Sequence, residues 1–110
     1  MKAPLPADEN ARLAALRRYH ILDTPPEQAY DDLTLLAARL TDTPIALVNF
    51  IDATRQWFKA RHGMALRETH RDISFCAHAI LEAAPVLVAP DMSADPRFAD
   101  NPMVVGPPHV

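Results

Sequence analysis

Ile45-Ala46-Leu47-Val48-Asn49-Phe50-Ile51, then Asp52-Ala53-Thr54, then Arg55-Gln56-Trp57-Phe58-Lys59-Ala60-Arg61 is the stretch that decides the fold. Residues 45–51 are apolar except for Asn49, and carry branched and aromatic side chains. That pattern predicts a strand covered on both faces. Asn49 falls on the same face as Leu47 and Ile51. Asp52, Ala53 and Thr54 supply a turn, and residues 55–61 return as a second strand. There Trp57 and Phe58 point to opposite sides, and Lys59 and Arg61 alternate with Phe58 and Ala60, as expected where one face is wetter.

Upstream, Thr24-Pro25-Pro26-Glu27 reads as a helix start. Thr24 can cap, proline suits the first helical position, and Glu27 completes a capping box. The helix is predicted over about 24–41, ended by Pro44. Tyr30, Leu33, Leu36, Ala37 and Leu40 recur at helical spacing and form one broad apolar face. Residues 1–7 are a proline-punctuated leader. A first helix is predicted over about 8–19, with Asp8 as cap, Glu9 in the first turn and Arg17 and Arg18 in the last. Its apolar stripe is only Leu13 and Leu16. So thin a stripe suggests packing on a partner or on another copy of the chain.

Downstream, residues 62–72 read as a polar loop, and residues 74–82 as a short helix. Pro85-Val86-Leu87-Val88-Ala89-Pro90 is predicted as a third strand, over about 85–90. Asp95-Pro96-Arg97-Phe98 is a capped helical turn, and residues 101–110 are loop-like. The fold class is α+β. Three strands are few for a sheet whose first member reads as covered on both faces, so something that pairs with it and covers it is expected from outside these residues.

Length and composition narrow the function. One domain at most fits 110 residues. A formal charge of -3 gives no nucleic-acid signal. No apolar run is long enough to span a bilayer, and the start turns acidic at once, unlike a secretory signal. A single cysteine excludes an internal disulfide and a cysteine-rich zinc site, and points to a reducing cytosol.

Several segments, in order and spacing, resemble the GAF domains found at the N-terminus of bacterial sensor histidine kinases and diguanylate cyclases. They are residues 19–27, 43–48 and 55–60, then Arg71-Asp72-Ile73-Ser74-Phe75-Cys76-Ala77-His78-Ala79-Ile80, then residues 95–102. The resemblance covers nearly the whole chain. It implies a GAF/PAS-like antiparallel sheet flanked by helices and incomplete at the C-terminus, because the family continues after the segment matching Gly106-Pro107-Pro108-His109 with more strands and a last helix. It also implies a cytoplasmic regulatory domain. In the family a small molecule binds between the sheet and a helix-loop layer, helix packing between subunits shifts, and an attached kinase or cyclase responds. On this reading the chain is not an enzyme, takes no cofactor or metal, and binds neither nucleic acid nor membrane. Its partners are a small-molecule ligand, a second copy or another chain that completes the sheet edge, and an output domain. The residues expected to line the pocket are Asn49, Phe75, Cys76, Asp91 and Phe98.

Each chemical signal has a plainer reading. Cys76 and His78 suggest an activated thiolate, yet residues two apart on a helix diverge by about 200°. Cys76 then shares a side with Ala79 and Ile80, as a buried, inert thiol. Ala77 separates the two, so the adjacent Cys-His dyad of bilin-binding relatives is not present. His62, His70 and His78 match no standard metal spacing. Arg55, Lys59, Arg61, Arg67 and Arg71 form a basic region that reads as a solvated face balanced by Glu68 and Asp72. Two alternatives remain beside the sensor: an interaction module that dimerises through Leu13 and Leu16, and a small thiol enzyme using Cys76.

Overall fold

A computed structural model describes residues 2–110 and gives an α+β fold. In chain order its elements are α1 (Glu9–Arg18), α2 (Gln28–Thr41), β1 (Ala46–Ile51), β2 (Arg55–His62), β3 (Glu68–His70), a 3-10 turn (Arg71–Ile73), α3 (Cys76–Ala79) and α4 (Pro102–Val105). The sheet is antiparallel, in the order β1-β2-β3.

The expected hairpin forms almost at its predicted bounds. Pairing runs from Ala46 opposite His62 to Ile51 opposite Gln56. Val48 faces Ala60 and Asn49 faces Phe58, so β2 carries Lys59 as an extra residue opposite the Val48–Asn49 step. Such a bulge re-aims a side chain. The Lys59 side chain is fully buried, and its ammonium is bonded to Thr24 Oγ1 and the Pro25 carbonyl, each at 2.7 Å, and to Glu27 at 2.6 Å.

That lysine explains why α2 starts late. Thr24 and Glu27 were expected to cap a helix from residue 24, but both engage Lys59 instead, and Thr24 Oγ1 donates to the Ile21 carbonyl. Helix begins only at Gln28, with no side-chain cap. It ends at Asp42 in a left-handed conformation (φ 52°).

Other expectations fail for want of partners or through partners of another kind. Residues 85–90 form no strand, and Val86 and Val88 are each 70 % exposed. Branched residues favour a ladder, but among the described residues no strand runs beside them. The third strand is instead Glu68–His70, inside the segment expected to be loop, and it pairs along the far side of β2. The turn before it depends on Gly63 (φ 71°), where a Cβ would meet the Pro44 carbonyl oxygen at 1.9 Å. The helix expected over 74–82 contracts to Cys76–Ala79, with looser turns closing on His78 and Ala79. A short helix, α4, stands where only loop was expected. Asn101 caps it by accepting from the Met103 N–H at 2.9 Å, and Pro102 occupies its first turn. Expected capping at Asp95 holds, its carboxylate accepting from the Arg97 N–H. The leader is tied down at Ala3, which is buried.

Burial inverts the reading of the first two helices. Leu13 and Leu16, expected to seek a partner, are buried within the chain. In α2 the buried residues are Thr34 and Ala38. The broad apolar face is turned outward, with Leu33 55 %, Leu36 54 % and Leu40 76 % exposed. Residues 46–50 of β1 are only half-buried, so the strand lacks the two-sided cover its sequence anticipates.

Candidate functional site

β1 presents Asn49 on the side of the sheet where α1 and α3 lie. Ser74 starts α3 by accepting from the Ala77 N–H at 3.1 Å, and Ser74 Oγ also donates to the Gln56 side chain, which anchors the helix to β2. The result brings Cys76 to Asn49. Arg12, Leu16 and Tyr19 of α1 and its C-terminal edge, Asn49, Phe50 and Ile51 of β1, and Cys76, Ala79 and Ile80 around α3 line a groove of about 350 Å³. Its walls are mainly apolar, with Asn49 and Arg12 as polar groups, a mixture typical of small-molecule sites.

The thiol in this groove is not poised for attack. Burial pushes the Cys76 pKa up, and a hydrogen bond with Asn49 opposes that only in part. His78 packs edge-on to the Phe98 ring at 5.1 Å between centroids. Cys76 is half-buried rather than enclosed in the core.

The five residues expected to line a pocket therefore divide. Asn49 and Cys76 meet in the groove. Phe75 and Phe98 meet each other, edge to face at 5.5 Å, and Phe98 is 1 % exposed, so it serves as core. Asp91 belongs to neither group: it is exposed and its carboxylate accepts from the Ser93 hydroxyl and N–H, which holds its pKa below the usual carboxylate range. The α1 wall of the groove was missed. Its sequence signal was Leu16, read there as half of a dimer stripe.

α1 is held against the groove by charge. Glu9 accepts from Arg71 at 2.5 and 3.2 Å and from Arg12 at 2.8 and 3.1 Å. Arg12 also donates to the Ile51 carbonyl at 2.5 Å, and Arg71 to the Asp52 carbonyl at 3.0 Å. The two guanidiniums, Arg71 first, bring the Glu9 pKa down to about 2. The basic region is likewise balanced internally: Arg55 grips Asp23 with two bonds of 2.7 Å and also reaches Asp52 and Glu68. A second, polar cleft of about 290 Å³ lies between residues 23–26 and the β2–β3 hairpin, with Lys59 in its wall. Among the described residues, no group of three or more His, Cys, Asp or Glu is arranged to hold a metal ion, and no helix is long and apolar enough to cross a membrane.

No family model matches the chain. It is 40% identical, over 107 residues, to the cyclic di-GMP phosphodiesterase PA2567 of Pseudomonas aeruginosa. The match takes in 97% of this chain but 18% of that protein. The likeness is to a protein of cyclic di-GMP signalling, as expected at that level. The relative is named as an enzyme, which overturns the expectation that the chain is not one, and the matched segment is 18% of that enzyme.

Proposed function

We propose that this chain is a GAF-type regulatory domain acting in the cytoplasm on cyclic di-GMP signalling, and that the Asn49–Cys76 groove receives its small-molecule ligand. The output it serves, on this reading, is cyclic di-GMP hydrolysis rather than the kinase or cyclase activity first expected. The observation that carries the proposal is the position of the groove. It lies between the sheet and α1, so a ligand there would bear on the helix that Glu9, Arg12 and Arg71 fasten to the sheet. The likeness to a cyclic di-GMP phosphodiesterase supports the signalling context.

The test is a graft. This chain replaces the matching segment of the Pseudomonas aeruginosa phosphodiesterase, and cyclic di-GMP hydrolysis is measured with Ala79 intact and with Ala79→Trp, which fills the groove. The proposal expects the graft to hydrolyse cyclic di-GMP and the Trp variant to change the rate. Equal rates, with both proteins folded, would overturn it.

A further inference from the structure

We infer that the polar cleft between residues 23–26 and the β2–β3 hairpin is a second binding site. Its ligand is a free amino acid held by both of its charges, the carboxylate by Arg67 and Trp57 and the ammonium by Asp31. The cleft lies on the α2 side of the sheet, where Asp31 reaches it, whereas the Asn49–Cys76 groove lies on the side of α1 and α3. The inference therefore does not rest on what the groove binds.

Two cations fix one wall of the cleft. Lys59 holds Thr24 and Pro25, each at 2.7 Å, and Glu27 at 2.6 Å. Arg55 holds Asp23 with two bonds of 2.7 Å. Residues 23–27 are thereby pinned against β2 at both ends. The opposite wall is Arg67 and Glu68, tied to β2 by the Phe58 N–H donating to the Arg67 carbonyl at 3.1 Å. Walls set before a ligand arrives leave less freedom to be lost on binding.

Most of the charge along the cleft already has a partner within the chain. Beyond Lys59 and Asp23, Arg61 donates to the Ala65 and Leu66 carbonyls, and Glu68 accepts from Arg55 at 3.2 Å. The side chains of Arg67 and Asp31 also line the cleft, and neither is bonded to a described residue. A third group joins them. Trp57 is 8 % exposed and lines the cleft, and its indole N–H meets no acceptor among the described residues. A buried indole N–H ordinarily has one.

These three groups select the ligand. One positive and one negative charge are left over, so the complement is a zwitterion. A plain anion would meet Asp31 and Glu68, and a plain cation would meet Arg67. Guanidinium and indole N–H both donate, and one carboxylate can accept from both. Asp31 can only accept, as an ammonium requires. The volume of about 290 Å³ falls at the lower limit of the roughly 300–1,000 Å³ of drug-sized pockets. That is room for a single amino acid and not for a dinucleotide.

Trp57 is the one tryptophan of the chain, so its emission reports on the cleft directly. The non-aromatic standard amino acids are titrated singly, with Trp57 emission and the melting temperature as readouts. At least one should shift the emission saturably and raise the melting temperature. Its carboxamide and its N-acetyl form, each lacking one charge, should bind about tenfold more weakly or worse. Arg67→Gln should bind the free amino acid no better than the carboxamide, and Asp31→Asn no better than the N-acetyl form. Circular dichroism of each variant separates lost binding from lost folding. No response to any amino acid overturns the proposal. So do blocked forms that bind as well as the free one, or folded variants that bind as the native chain does.

Discussion

Arg71 and Glu9, 62 positions apart, hold the start of α1 to the turn that follows β3 through paired hydrogen bonds of 2.5 and 3.2 Å. Arg71 is buried, so removing its partner leaves a guanidinium with little access to water. Glu9→Gln should destabilise the fold by about 2 kcal/mol, a partial solvation of the pair tempering the full cost of breaking a buried one. Urea unfolding measures the loss, and an unchanged midpoint would show that this clasp contributes nothing.

The same carboxylate sets an acid limb. Its pKa falls from 4.5 unfolded to about 2 folded, so it binds its proton more weakly in the native state. Its contribution is complete above about pH 4.5, fades as pH drops, and is gone below about pH 2. Stability of the native chain should decline through that window, and Glu9→Gln should flatten the decline. Parallel slopes for the two proteins would sink the assignment.

Cys76 should alkylate slowly. Its thiol is raised above the ordinary range by burial, with Asn49 pulling it back. The pH dependence of iodoacetamide labelling should have its midpoint above that of a free thiol, and Asn49→Ala should move it higher. A midpoint near neutrality would revive Cys76 as a nucleophile.

Phe98 is the best-buried aromatic side chain and touches both Phe75 and His78. Phe98→Ala should cost about 3–5 kcal/mol. That is a large part of a small domain's stability of roughly 5–15 kcal/mol. A cooperative melt with the native midpoint would contradict its place in the core.

Lys59 and Glu27 should respond unequally. Lys59→Met keeps the aliphatic stem but strips three acceptors of their donor, for a loss of about 2 kcal/mol. Glu27 is 56 % exposed in its side chain, so Glu27→Gln should cost under about 1 kcal/mol. Equal losses on urea unfolding would mean the ion pair, not the burial of the ammonium, sets the scale.

What the sequence disclosed follows the range of the forces involved. The β1–β2 hairpin was legible because alternation and a three-residue turn are local. α2 was legible as a helix, but its start was not, because Lys59 draws on Thr24 from 35 positions away. Periodicity located the leucines of α2 on one face without saying whether this chain covers it. β3 escaped notice because Glu68, Thr69 and His70 have no apolar pattern; their pairing with β2 is a matter of backbone. In the site, Asn49 and Cys76 were named and do meet, through β1 and α3. Phe98 carried a signal common to pocket and core, and only packing separates the two.

Pro85 and Pro90 bracket four apolar residues that join no strand, Val86 and Val88 exposed and Leu87 and Ala89 half-buried. Neither proline has an N–H to give. Any ladder that Val86–Ala89 joins must stop after those four residues at each end. Such a segment is long enough to be captured by one neighbouring strand and too short to template a growing fibril, for which six or seven unbroken residues are usual. The prolines thus act as gatekeepers that keep an exposed, strand-prone run from becoming an aggregation nucleus.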